Sequence, residues 1–221
     1  MHILRTRFNG NPNIGLFGIA TDEYCIIGSR LNKNMIEDIE KALKVPVIQT
    51  TICGTEMAGV FCAANSRCLL VPSIIFDNEI ETLKKHKINY EIIKTRHTAL
   101  GNNILCNDKG CVVSKDLEKE AIKKIEKALE VKAVKSRISG LDIIGSTAVL
   151  NSKGCLAHED IKKEEKELIE NILKIKCETG TISFGSPYIK AGIIANSNGF
   201  IISKSSGGPE IANADEALGF I

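Results

Sequence analysis

Cysteine is the residue type with the most evident capacity for chemistry in this chain. Eight occur, at positions 25, 53, 62, 68, 106, 111, 155 and 177, and two of them end near-identical pentapeptides, NDKGC at 107–111 and NSKGC at 151–155. A thiol nucleophile needs a base within reach and a group to orient that base. The bases on offer are His2, His86, His97 and His158. His86 stands in a Lys-rich helical stretch and reads as solvated. His158 reads as a cap or surface residue at a helix start. His97 closes a strand pattern beside Thr98 and is the one histidine placed where chemistry is conceivable. No CxxC occurs, so zinc-finger and thioredoxin spacings are missing, and HExxH, GxSxG and GK[S/T] are absent as well. Gly207 and Gly208 follow Ser-Lys-Ser-Ser without the P-loop spacing and read as a turn before Pro209.

The bulk numbers narrow the classes of function. The 221 residues carry 29 basic and 27 acidic side chains, for a net charge of +2. A protein that lives on phosphate contacts usually shows a stronger basic bias. With no Trp, 3 Tyr and 7 Phe, base-stacking platforms are scarce. No apolar run reaches the roughly 18 residues that span a bilayer, and the opening MHILRTRFNG does not resemble a secretory signal. The chain is therefore expected to be cytoplasmic, with reduced cysteines and no membrane or DNA partner.

The elements that must position these residues are repeated. Aligned on the two pentapeptides, five segments fall into register: IGLFGIATDEYCIIGSRL from Ile14, AGVFCAANSRCLLVPSII from Ala58, LGNNILCNDKGCVVSKDL from Leu100, IGSTAVLNSKGCLAHEDI from Ile144 and IKAGIIANSNGFIISKSS from Ile189. Each is an apolar stretch, a polar turn and a second apolar stretch, which is a hairpin pattern. The residues after the turns are Cys25, Leu69, Cys111, Cys155 and Phe200, spaced by 44, 42, 44 and 45 residues. A position that accepts Cys, Leu or Phe is a buried apolar slot, and a buried free Cys behaves as a small hydrophobe. The pentapeptides thus read as architecture. Their Asn, Asp, Ser and Gly residues are expected to supply the left-handed backbone of tight hairpins.

A helical pattern follows each hairpin. Leu117, Ala121, Ile125, Ala128 and Leu129 share one stripe in the third unit. In the second, Asn78 and Glu81 have the spacing of a capping box. A strand then follows each helix, except that the fifth unit stops after its helix. Residues 1–8, MHILRTRF, have the missing strand pattern and are expected to complete that unit and close a ring, removing the exposed sheet edges. The expected fold is α/β: a single five-repeat ring domain over 1–221, a five-fold pseudosymmetric propeller of ββαβ units. The units fall at about 9–52, 53–96, 97–139, 140–183 and 184–221 plus 1–8.

A ring of this kind gathers the segments between each last strand and the next hairpin on one face. They are NGNPNIG (9–15), CGTEMAG (53–59), TALGNN (98–103), SGLDIIG (139–145) and FGSPYIK (184–190). Loops on a rigid scaffold commonly carry function, and Met57, Leu100 and Tyr188 read as exposed apolar residues on them. The Glu- and Lys-rich helices read as solvated outer faces.

NSRCLLVP (65–72), ALGNNILCND (99–108), SRISGLDIIGS (136–146) and GSPYIKAGIIAN (185–196) together resemble the translation initiation factor 6 family of ribosome anti-association factors, in its short archaeal form. The resemblance covers essentially the whole chain. It implies the pentein fold, a non-enzymatic role without cofactor or metal, and binding to the large ribosomal subunit, mainly through a ribosomal protein near the sarcin–ricin loop with rRNA nearby. Bound there, a monomer would block joining to the small subunit. The contact positions it implies are Gly54, Thr55, Gly59, Val60, Leu100, Gly101 and Asn102, with Met57 adding apolar area. Val60 departs from the family pattern, since eukaryotic relatives carry a basic residue there, and the long eukaryotic C-terminal tail is absent. The alternatives are a scaffold for another protein partner and a pentein-type arginine-modifying hydrolase or transferase. Such enzymes resemble this ring but place a Cys nucleophile late in the chain, where this sequence from Phe184 onward has neither Cys nor His.

Overall fold

The computed structural model describes residues 2–221; Met1, part of the expected closing strand, lies outside the described residues. The chain opens with β1 (Ile3–Thr6). The first unit continues with β2 (Gly18–Ala20), β3 (Cys25–Ile27), α1 (Lys33–Leu43) and β4 (Val47–Gln49). The second has the short α2 (Ala58–Phe61), β5 (Ala63–Ala64), β6 (Leu69–Pro72), α3 (Asp77–Lys85) and β7 (Tyr90–Ile93). The third has the short α4 (Leu100–Asn103), β8 (Ile104–Cys106), β9 (Cys111–Ser114), α5 (Lys119–Leu129) and β10 (Ala133–Ser136). The fourth has β11 (Ala148–Leu150), β12 (Gly154–His158), α6 (Lys163–Leu173) and β13 (Lys176–Gly180), and the fifth β14 (Ile193–Ala195), β15 (Phe200–Ser203) and α7 (Gly208–Ala217).

Among the described residues these strands form five three-stranded sheets of one plan. A hairpin supplies an antiparallel inner pair, and the strand after the helix adds parallel to the middle one, as in β2-β3-β4. In the fifth sheet β1 takes the third place, parallel to β15, with Ile3 opposite Phe200 and Thr6 opposite Ser203. The chain ends therefore meet in one sheet, and His2 Nε2 and Asp215 Oδ1, 2.7 Å apart, join the N-terminal strand to the last helix. The register matches the repeat: Ala20 pairs with Cys25, Ala64 with Leu69, Cys106 with Cys111, Leu150 with Cys155 and Ala195 with Phe200. The five slot residues are fully buried. Cys155 fills core volume between α6 and its sheet, among Ile169, Leu173 and Cys177.

The hairpin turns depart from expectation. None of the residues in the turns at 21–24, 65–68, 107–110, 151–154 and 196–199 has positive φ. Their glycines are there because a neighbour comes close. A Cβ on Gly110, Gly154 or Gly199 would overlap the backbone oxygen of Ile172, Ala217 or Ala42, each at the end of a helix in the next unit. The turn asparagines clasp the same three helix ends and that of α5. Asn65 Nδ2 donates to Leu129 O at 2.9 Å, Asn107 Nδ2 to Leu173 O at 2.8 Å, Asn151 Nδ2 to Leu218 O at 3.0 Å and Asn196 Nδ2 to Leu43 O at 2.8 Å. Each bond satisfies a carbonyl that a helix C-terminus leaves unpaired, and each crosses from one unit to the next. The last crosses from the fifth unit to the first. Thr21 holds the same place in the first unit and bonds within its own turn, to Tyr24 O.

Helix N-termini lie at the opposite end, with the loops. Glu79 in the first turn of α3 caps its own helix, accepting from Phe76 N at 3.0 Å, and also accepts from Cys53 N and Gly54 N, both at 2.8 Å. Glu79, not the expected Asn78–Glu81 pair, is thus the capping residue. Glu165 repeats the pattern with Lys162, Ser139 and Gly140, and Glu210 with Gly207, Phe184 and Gly185. In the third unit Glu118 takes the Thr95 hydroxyl at 2.6 Å, and that bond, first among several, holds its carboxyl down at about 2. Burial alone would raise the Glu79 carboxyl, but the Phe76 amide, the Thr51 hydroxyl and the amides of Gly54 and Cys53 together outweigh it and the pKa falls. A carboxyl lowered in the folded state adds stability above its unfolded pKa and loses it as pH falls through the folded value. Glu79→Gln should therefore cost about 2 kcal/mol at neutral pH. In urea titrations the gap to the wild type should close below about pH 4; a pH-independent gap would contradict this role.

His158 is also placed differently. It ends β12 and is buried, with Nδ1 accepting from Asp160 N at 3.1 Å. No helix among the described residues is long and apolar enough to cross a membrane.

Candidate functional site

The loop face is built from paired devices. The first is a tight two-residue tip after a last strand: Asn9-Gly10, Cys53-Gly54 and Ser139-Gly140 all have positive φ, as do Ser183, Phe184 and Gly185. Bridges such as Ile52 with Thr55 and Ile138 with Leu141 close these tips. The second is a turn of helix or 3-10 helix just before the inner strand, at Ile14–Leu16, α2, α4 and Ile189–Gly192, with a looser turn at 144–146. A Cβ on Gly15 would overlap Lys190 O, one on Gly59 would overlap Gly15 O, one on Gly101 would overlap Gly59 O, and one on Gly145 would overlap Gly101 O. Ring-wise, each unit lies with its turn against the backbone of the one before. In the fifth unit Lys190 stands at this position, and its amide donates to Ser146 O at 3.1 Å.

The expected contact residues divide accordingly. α2 and α4 pack side by side, so the 54–60 and 100–102 segments are brought together on one face. Gly54 is exposed at its tip, against the Phe76 ring, and Met57 is 43% exposed. Thr55, Val60 and Asn102 are half-buried. Gly59 and Gly101 are buried in the axial ring, where they join units. Leu100, expected to be exposed, is fully buried in the core of the third unit, as its repeat partners Ile14, Ala58, Ile144 and Ile189 are in theirs. The first residue of each of these turns is a core anchor, and the surface falls to its successors. Tyr188 is 45% exposed as expected; Phe184, in the same loop, is 81% exposed, and Phe76, at 55%, extends the apolar surface outside the named loops.

Asn102 differs from its neighbour. Asn103 spends Nδ2 on Ala99 O at 2.8 Å. Among the described residues the Asn102 side chain makes no hydrogen bond, while its backbone is fixed by Asn102 N to Ala99 O and Gly145 N to Asn102 O. It is a positioned amide with unspent donors and acceptors.

The thiols do not form such a site. Burial pushes Cys25 and Cys62 far up, and Cys53 and Cys68 up to about 11, with Glu79 adding to the rise at Cys53 and Glu91 at Cys68. A reactive cysteine needs the reverse. Among the described residues no hydrogen bond joins a cysteine to a histidine; Cys106 Sγ, for example, donates to Ala64 O. His97 lies with Arg96 and Asp116 around a shallow hollow on the loop side.

Comparison with known proteins fits this geometry. The domain fold is similar to that of a solved N-terminal domain of ArgZ, an arginine dihydrolase from cyanobacteria, at a TM-score of 0.50 and 14% identity, over 87% of this chain and 73% of that one. That likeness speaks to the fold alone, the pentein ring. Relatives named translation initiation factor 6 are 45% identical in Pyrococcus furiosus, over 100% of both chains, and 37% identical in Staphylothermus marinus, over 99% of this chain and 98% of that one. The eIF-6 family model matches residues 3–217. With the match running almost from end to end, the chain belongs to the eIF-6 family.

Proposed function

We propose that this protein is a translation initiation factor that binds the large ribosomal subunit and sterically prevents its joining to the small subunit. The end-to-end match to the family, with full-length relatives named translation initiation factor 6, carries this reading. The loop face offers groups of the right character: exposed Met57, Phe76 and Tyr188, and the unspent amide of Asn102. Apolar and aromatic anchors around a few fixed polar groups are the makings of a protein–protein contact. A net charge of +2 agrees with a ribosomal protein near the sarcin–ricin loop as the main partner, with rRNA at the rim. The proposal includes a monomeric, cytoplasmic factor without catalytic activity.

Asn102 tests the site. Asn102→Asp keeps the shape but replaces two N–H donors with a negative charge, which costs binding of the order of 2–4 kcal/mol if a buried polar partner is lost. In co-sedimentation with purified large subunits the variant should bind at least about thirtyfold more weakly, with unchanged unfolding midpoint. Equal binding would remove Asn102 from the interface. The fold's likeness to an arginine dihydrolase is settled separately by incubation with arginine: release of ammonia or citrulline would overturn the binding-factor reading.

A further inference from the structure

The Lys190 side chain occupies the one position in the axial ring where the other units have glycine. It reaches from the fifth unit to the third, where Nζ donates to Gly101 O at 2.8 Å. An ammonium has three N–H donors, and this is the one hydrogen bond it makes among the described residues. No carboxylate pairs with it there, and the titratable groups that act on it are the thiols of Cys62 and Cys106. Burial brings its pKa down to about 8, against a smaller opposing effect of the two thiols. The residue as a whole is half-buried, with its amine in desolvating surroundings. Desolvated charges in proteins are ordinarily paired, and no carboxylate among the described residues pairs with this one.

The space beside it is a cavity of about 420 Å³ along the ring axis. That is within the usual range for small-molecule sites. Lys190 and Gly145 lie at its floor, the inner strands form its walls, and the hairpin turns form its mouth. At the mouth, Lys109 and Lys174 line it too. The acidic residues there are already engaged: Asp22 accepts from Ser197 N at 2.7 Å and Asp108 from Ser66 N at 3.0 Å, with Arg67 3.6 Å from Asp108.

We propose that the axial cavity is a binding site for a small organic carboxylate, its head group paired with the Lys190 ammonium and its apolar body against Ile19, Leu105, Val149 and Ile194. A single enclosed ammonium with two unspent N–H groups matches the two oxygens of one carboxylate. A phosphate dianion would bring more charge than this floor neutralises. The walls give an alkyl chain the apolar contact that a bare ion would not use.

Calorimetric titration of the wild-type protein at constant ionic strength with hexanoate, hexylammonium and inorganic phosphate tests this. Hexanoate should bind saturably with one site, and hexylammonium and phosphate should not. Lys190→Met should weaken hexanoate at least about tenfold, with its circular dichroism retained. Absence of saturable hexanoate binding, equal binding of hexylammonium, or undiminished binding to a folded Lys190→Met variant would overturn the proposal. Preference for phosphate would overturn the carboxylate assignment. If Lys190→Met does not fold, the contrast between hexanoate and hexylammonium on the wild type decides.

Discussion

Gly15→Ala is expected to remove a large share of the protein's stability, although it adds one methyl group to a residue with ordinary φ. The added Cβ would overlap Lys190 O and lie 2.7 Å from Ile193 O, both backbone atoms of the fifth unit. A flexible side chain could turn aside; two carbonyls fixed in a turn and a strand cannot. The contact is also the seam between the first and last units, so relief requires the seam to open. Overpacking ordinarily costs about 1–3 kcal/mol, and a clash with backbone on a seam belongs at or above about 4 kcal/mol. Against a total of about 5–15 kcal/mol, that leaves a marginal fold. Two controls separate the causes. Gly208→Ala meets nothing within 4 Å and should change little. Gly10→Ala also meets nothing, but its φ of +85° should cost about 1 kcal/mol through backbone strain. Urea midpoints that place Gly15→Ala with Gly208→Ala would refute the seam.

Asn196→Ala should come second in size. Its Nδ2 donates to Thr21 O at 3.0 Å and Leu43 O at 2.8 Å, and its Oδ1 accepts from Asn198 N and Gly199 N at 3.0 and 3.1 Å. The residue is buried, so water does not freely replace these partners. Leaving buried polar groups unpaired costs about 1–3 kcal/mol each, and a net loss near 3 kcal/mol is expected. For a chain of this size that lowers Tm by about 6–12 °C. Asn196→Asp should be no better, since it keeps the acceptor, loses both donors and sets a negative charge against two carbonyl oxygens. A Tm within about 2 °C of the wild type for both variants would show that the clasp does not hold the first unit to the fifth.

Both predictions concern features only half visible in the sequence. The repeat, the slots of Cys25, Cys111 and Cys155, and the closing strand were legible because burial recurs at fixed spacing, and apolar identity reports burial directly. The turn asparagines were legible as turns but not as clasps. Their partners, such as Leu43 O for Asn196, are backbone atoms 153 residues away, and no residue type betrays a backbone acceptor. Gly154 looked like turn chemistry because glycine serves both positive φ and close approach, and sequence alone does not tell them apart. Leu100 reads as exposed by loop composition, whereas its register with Ile14 and Ile144 marks it as a core anchor. Glu79 does not stand out beside Glu81 in the sequence: the helix begins at Asp77, with Phe76 just before it, and a capping pattern anchored on Asn78 slides by two. Of the loop face, the segments are legible in the sequence, and which of their residues are buried and which exposed is not. Asn102 and Asn103 are identical in type, and only the bond from Asn103 to Ala99 O separates the structural amide from the free one.

The ring is proposed to occupy the large subunit where the small subunit would join. Purified archaeal large and small subunits, mixed under joining conditions and resolved on sucrose gradients with increasing amounts of the protein, test it most directly. Joined ribosomes should decline as the protein saturates the free large subunits, and the protein should sediment with the large subunit and not with the joined particle. Joined ribosomes that persist undiminished, or that carry the protein with them, would contradict it.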